Sequence, residues 1–411
     1  MQTTYILAGW LIDGTGNNVQ EKMLLKIEGG RFRAIEKYSP DDGLDTSLLI
    51  DLSRFTLLPP LVDCHVHLFM SGTTDPRLRE RQLIAGYDEL RPAIARHLGD
   101  LFGHGVLAAR DGGDPGGFAL RYRREERMPA EMILRLAGRA WHRKGRYGGI
   151  VGRCVEEGER LDEAYTREGD GAADLVKIMQ SGLNSLKYFG KQTPPQFTSE
   201  ELAGLVRAAG DRGQKVMVHA NGREPVRLAV EAGCHSIEHG YFMGRDNLLR
   251  MAEKGTFWVP TLMPMKGYLD NVGAAGAGAD PKVIEKTLDD QLAHLTLARE
   301  QGVKVALGTD AGGLGVLHGE AVVEELKLFI KAGYTLPEAL RCATLNGARL
   351  LGLDDIGLLV KGLPATFLVV RGGPAQLPRK LRYLEGIYLN GLPSQSYRRD
   401  PVKAGRSGTA G

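Results

Sequence analysis

Leu57-Leu58-Pro59-Pro60-Leu61-Val62-Asp63-Cys64-His65-Val66-His67-Leu68 is an apolar run entered through two prolines and closed by two histidines. Its composition reads as a buried β-strand. Side chains in a strand alternate faces, so residues two apart project the same way. His65 and His67 therefore point to one side and Val66 to the other. Two neutral imidazoles aimed at one point suit a divalent metal such as zinc.

Downstream, apolar strand-like runs alternate with segments of helical period. The strands expected are Val106–Arg110, Met132–Ala137, Leu175–Met179, Lys215–His219, Ser236–His239, Thr256–Leu262 and Val303–Thr309. Between them, 3.6-residue periodicity predicts helices at Glu200–Asp211, Glu224–Ala232, Pro281–Gln301 and Glu320–Lys331. With the opening strand this makes eight strand–helix repeats, the pattern of a (β/α)8 barrel. Active sites of such barrels lie at the C-terminal ends of the strands, which gives a positional test for every candidate residue.

Both ends of the chain read as short β-strands. Tyr5–Ile12, Met23–Glu28, Arg31–Glu36 and Leu48–Leu52 precede the barrel pattern, with Gly29-Gly30 a two-residue hairpin signal. Thr366–Arg371 and Gly386–Asn390 follow it. The expected organisation is a small β-sandwich from residues 1–56 plus 357–399, a barrel at 57–356, and a basic, Gly-rich tail at 400–411 expected to be disordered.

Several strand ends carry chemistry. Lys177 lies inside the apolar run Asp174–Met179, where a charged ammonium is costly to bury. Lys187, in the loop 182–190, is a competing lysine with polar surroundings. His219 ends one strand and His239 the next, whereas His235 begins its strand and belongs to the opposite rim. Asp310 closes the strand before Ala311-Gly312-Gly313, a stretch that keeps any helix away and argues against a helix-capping role. Beside a metal centre it is placed to accept and return a proton.

These motifs resemble the amidohydrolase superfamily. LVDCHVH resembles its first-strand signature, with Pro60 where glycine is usual. ATLNGARLL at 343–351 and KGLPATFLVV at 361–370 resemble two C-terminal motifs, the second with Thr366 in place of an aspartate. The resemblance implies a metal-ligand set of His65, His67, Lys177, His219, His239 and Asp310. It also implies two divalent ions, zinc by expectation, and a CO2-derived carbamate on Lys177. A hydroxide bridging the ions would attack the carbonyl, with Asp310 carrying the proton to the leaving amine. Deaminases of the superfamily carry HxxE at strand five, whereas His219 is followed by Ala220-Asn221-Gly222. VHANG, IEHG and GTDAG look most like the prolidase-like and imidazolonepropionase-like branch. The implied function is hydrolysis of an amide-like C–N bond in a small molecule, with dipeptides and N-acyl amino acids as candidates. A deaminase or lactonase on the same scaffold, or a non-catalytic paralogue, are the alternatives.

Around the metals, His142 in the loop AGRAWHRKGRYGG, Tyr241 after His239, and His318 are the substrate-binding candidates. Arg139, Arg143 and Arg146 are candidates for pairing a substrate carboxylate. Gly267–Asp280 is a Gly/Ala-rich segment after the seventh strand and a candidate mobile lid.

The net charge of +3 is too balanced to argue for nucleic acid or an anionic membrane as partner. The cysteines at 64, 154, 234 and 342 are widely spaced and form no CxxC pair, which fits a reduced, cytoplasmic setting. No apolar run is long enough to span a bilayer, and no signal-peptide pattern opens the chain. Homo-oligomerisation is left open.

Overall fold

The computed structural model describes residues 3–40, 48–126, 129, 131–169, 171–276 and 278–397. The tail expected at 400–411 lies outside the described residues. In chain order the strands are β1 (Thr3–Leu11), β2 (Gln20–Glu28), β3 (Arg31–Lys37), β4 (Leu49–Leu58), β5 (Leu61–Val66), β6 (Val106–Asp111), β7 (Ile133–Leu136) and β8 (Ala140–Arg143). They continue as β9 (Gly152–Val155), β10 (Leu175–Met179), β11 (Lys215–Ala220), β12 (Ser236–His239), β13 (Phe257–Val259), β14 (Phe367–Arg371), β15 (Leu384–Leu389) and β16 (Leu392–Pro393). Contacts divide the chain into two compact units. One is Met1–Val62, Gly99–Ala108 and Tyr334–Gly411; the other is Asp63–Leu98 and Ala109–Gly333.

In the first unit, strands from both ends of the chain join one seven-stranded sheet of order β16-β15-β14-β4-β1-β2-β3. Gly29 and Gly30 make the β2–β3 turn with φ of 60° and 76°, the doubly positive geometry that a two-residue turn of this hand needs. The sheet curls. Phe32 on β3 and Phe367 on β14, with three strands between them in the order, bring their rings to 6.2 Å. Ile6, Leu11, Leu25 and Leu57 fill the space between, all at 0% exposure. Folding one sheet over its own apolar face is how a small unit buries enough surface to persist.

The second unit holds the strand–helix alternation of a (β/α)8 barrel. β5, β6 and β7 form one sheet. The Asp174 amide, just before β10, donates to Leu136 O on β7. β10, β11, β12 and β13 then pair in parallel. The eighth strand, expected at Val303–Thr309, is a single bridge, Val305 to Trp258. Its backbone still bonds on both sides: Trp258 N to Lys304 O, Ala306 N to Trp258 O, and Cys64 N to Leu307 O.

Two strands of the second unit were not expected. β8 and β9 pair in parallel, and β8 joins the sheet beside β10. His142 is thus a strand residue and not a loop residue. The candidate lid Gly267–Asp280 begins as helix. Its first residues complete the helix Met263–Asp270, and a 3-10 turn follows at Val272–Ala274. A Cβ at Gly267 would meet Leu314 O at 2.3 Å, so glycine here permits close helix packing and does not signal a flexible loop. The helices expected from periodicity begin and end within about a residue of the observed ones, and Glu320–Lys331 coincides. Thr198 with Glu201 forms a capping box, satisfying two helix-end amides.

Candidate metal centre and active site

Alternation along β5 delivers what the sequence promised. The His65 and His67 rings lie 5.4 Å apart, both aimed at the strand ends. His239 lies 5.1 Å from His65, and His219 4.7 Å from His239, ring to ring. Lys177 Nζ is 3.4 Å from His65 Nε2. One Asp310 oxygen lies 3.6 Å from His65 Nε2 and 3.4 Å from His67 Nε2. All six residues of the expected ligand set therefore converge. Lys187 is exposed, its Nζ over the Tyr188 ring.

Two of the converging residues sit in the left-handed backbone region, His239 at φ 65° and Asp310 at φ 56°. Non-glycine residues there carry strain that the surrounding fold must hold. At His239 the turn has a visible effect. Strict alternation would send Glu238 and His239 to opposite faces, yet both reach His65.

Three imidazoles have one nitrogen claimed by a group that can only accept. His65 Nδ1–H donates to Glu238 at 2.8 Å, His67 Nδ1–H to Gly113 O at 2.9 Å, and His219 Nε2–H to Gly182 O at 3.2 Å. This leaves His65 Nε2, His67 Nε2 and His219 Nδ1 as lone pairs. His239 Nδ1 pairs with the Thr261 hydroxyl at 2.6 Å. Thr261 itself holds φ at 47°, a costly angle for a β-branched residue. Burial, and then the Lys177 cation, hold His65 well below the usual imidazole range and bring His219 down to about 3. His239 is likewise depressed, chiefly by burial. Burial brings Lys177 down to about 8, against the pull of Glu238 and Asp310. Neutral imidazoles and a lysine that gives up its proton easily are the state a divalent metal requires.

The donor set fits a metal. His65, His67 and Asp310 each offer a ligand atom, all within 4.8 Å of one another. The space beside them is reserved: a Cβ at Gly112 would meet His67 Cε1 at 2.9 Å and His65 Nε2 at 3.1 Å.

Around this cluster lies a buried support that the sequence did not reveal. The second Glu238 oxygen accepts from Arg110 Nη2 at 2.8 Å and from the Ser236 hydroxyl at 2.5 Å. Arg110 Nε also donates to Cys64 O at 2.7 Å. Asp63 accepts from the Thr309 amide and hydroxyl, at 3.0 and 2.6 Å, tying β5 to the segment that carries Asp310. Buried charges inside a barrel, paired across distant strands, are the only signal that could have suggested them.

A cavity opens over the cluster, lined by His65, His67, Lys177, His219, His239 and Asp310 and by Tyr147, Tyr241 and Tyr268. Tyr241 donates to Thr261 O at 3.3 Å. His142 and His318 are not among the lining residues. His142 Nδ1–H bonds Arg143 O, and His318 stands behind His67, its Nε2 3.2 Å from His67 O and its ring stacked on His97 at 4.1 Å. Arg139, Arg143 and Arg146 do not line it either. Arg143 pairs with Glu201 and covers the Phe197 ring, and Arg146 donates to Pro194 O.

Over residues 56–394 the chain matches the amidohydrolase family, and it belongs to that family. It is 27% identical over 409 residues to ochratoxinase of Aspergillus niger, covering 91% of this chain and 82% of the relative. To imidazolonepropionase of Paracoccus denitrificans (strain Pd 1222) it is 26% identical over 397 residues, covering 86% and 89%. The solved structure of a Xaa-Pro dipeptidase with bound methionine in its active site is 28% identical, with a TM-score of 0.76, covering 96% of this chain and 100% of that one. The branch expected from VHANG, IEHG and GTDAG is the one these relatives represent.

Proposed function

We propose that this chain is a metal-dependent amidohydrolase that cleaves an amide-like C–N bond of a small molecule, with dipeptides and N-acyl amino acids as candidate substrates. The observation that carries this reading is the meeting of His65, His67 and Asp310 within ligand distance at the floor of a cavity. Two divalent ions, zinc by expectation, would be held by these three with His219 and His239, and by Lys177 as its carbamate. When bound, such ions polarise a carbonyl and bring the pKa of water to roughly 7.

The chain's own groups do the rest. His65, His219 and His239 stay neutral because burial penalises their charged form. Asp310 faces His67 from a fixed backbone and is raised above the usual carboxylate range by burial. A carboxylate so poised takes a proton from attacking water and returns it to the departing amine. The apolar walls exclude bulk water and strengthen each of these electrostatic contacts.

The test is a screen of metal-loaded protein against dipeptides, N-acyl amino acids, cyclic ureas and lactones. Release of amine from an acyl amide supports the reading. Ammonia released only from amino-heterocycles replaces it with the deaminase one. Failure to retain metal in purified protein points to a non-catalytic paralogue.

A further inference from the structure

The cavity over the cluster has a volume of about 270 Å³. Phe69, Met70, Met265 and Leu314 make much of its wall. At its mouth Leu83, Ile150 and Leu183 line it while remaining exposed, at 39%, 44% and 56%. The body of a ligand lodged here meets hydrocarbon.

One guanidinium interrupts that lining. Arg79, on the helix Pro76–Ile84, directs Nη1 at three backbone carbonyls, Ser71 O at 3.2 Å, Thr73 O at 3.4 Å and Gly312 O at 3.1 Å. These contacts hold the planar group in one orientation and use a single nitrogen. Among the described residues, Arg79 has no carboxylate within ion-pair distance, and Nε and Nη2 make no hydrogen bond to protein. A fixed, half-buried cation in an apolar wall has lost part of its hydration, and the Asp310 carboxylate, which acts on it electrostatically, lies beyond ion-pair distance. Its open edge presents parallel N–H groups that match a carboxylate.

We propose that Arg79 anchors a free carboxylate of the substrate, and that the substrate is an N-acyl amino acid or dipeptide whose apolar body fills the cavity. This rests on the amide-hydrolysis reading above. Gly312, to which Arg79 is tied, lies two residues beyond Asp310. The anchored carboxylate therefore stands on the side of the cluster where the leaving amine takes its proton. That suits the α-carboxylate of a departing amino acid better than one at the far end of a long acyl chain. Of the arginines nominated from the sequence, Arg143 and Arg146 are held by other groups and Arg139 does not line the cavity, which leaves this role to Arg79.

The experiment compares two substrates on metal-loaded wild-type protein, R79K and R79Q: N-benzoyl-L-phenylalanine and the matching N-benzoyl-L-phenylalaninol, which lacks the carboxylate. Wild type should prefer the acid in kcat/KM. In R79Q that preference should fall on the order of 10- to 100-fold, the loss expected for a hydrogen bond to a charged group, and through KM more than kcat. R79K, with charge but no fork, should fall between. Equal losses on both substrates would make Arg79 a structural tie and overturn the proposal. So would a wild type indifferent to the carboxylate, while leaving amide hydrolysis intact. If neither compound is cleaved, the hydrolysis reading loses support, and calorimetric binding of the acid still decides the subsite. Binding weakened by R79Q upholds it, and binding unchanged overturns it.

Discussion

A Glu238 oxygen lies 2.8 Å from Nδ1 of His65, across 173 positions of sequence. The contact orients the ring and fixes its tautomer, so that Nε2 faces Asp310. Its other oxygen neutralises Arg110. Glu238→Gln should weaken metal binding about 10- to 100-fold, the usual loss for a group that orients a ligand, as read by chelator competition. It should also lower the thermal midpoint of metal-free protein, because Arg110 is left buried and unpaired. Adding Arg110→Met should recover part of that midpoint but none of the affinity. An unchanged affinity in the single variant would contradict the tautomer argument.

Lys177 and Lys187 separate cleanly in space. Lys177 is buried beside His65, and Lys187 is exposed. Lys177→Ala should lose activity and most bound metal by elemental analysis, and a small carboxylic acid should partly restore both by filling the vacated space. Lys187→Ala should keep both. Carbamate on Lys177 should need CO2 and metal together. A bare amine at 177 in a fully metallated crystal grown with bicarbonate would end that expectation.

Asp310→Asn keeps size and removes the base. Turnover should fall by at least about 100-fold, the lower range for lost acid–base catalysis. The fold should survive, because burial already disfavours the charged carboxylate. Near-normal turnover across pH would remove Asp310 from the mechanism.

His97 is buried under the loop after β5, donating to Leu68 O at 2.8 Å and stacked on His318. Burial lowers its pKa to about 4. The unfolded chain takes up this proton near pH 6.5 and the folded chain does not, so stability is full above that pH and falls as pH drops towards 4. His97→Gln preserves a donor but not the titration. The thermal midpoint should therefore drop less between pH 7 and pH 4.5 in the variant than in wild type. Equal drops would show that His97 is not an acid-sensitive point.

The legible part of the site was local. Two-residue spacing aligned His65 with His67, a charge inside an apolar strand marked Lys177, and position at a strand end selected His219, His239 and Asp310. Helix ends followed from periodicity. β8 and β9 were not legible, because Gly- and Arg-rich sequence reads as loop until a neighbouring strand edge supplies hydrogen bonds. The helical start of Gly267–Asp280 was not legible for the related reason that glycine serves close packing as readily as flexibility.

By itself, then, the sequence determined the alternation of strands and helices apart from β8 and β9, the terminal strands that share a sheet, and which side chains stand at strand ends. Those properties depend on backbone periodicity, which operates within a few residues. Only the tertiary structure decided that Glu238 would meet His65 and Arg110, that Thr261 would hold His239, and that Arg79 would enter the cavity while the arginines of 137–149 turned elsewhere. Such pairings depend on where separate strands and helices come to rest, and no spacing along the chain encodes the distance between them.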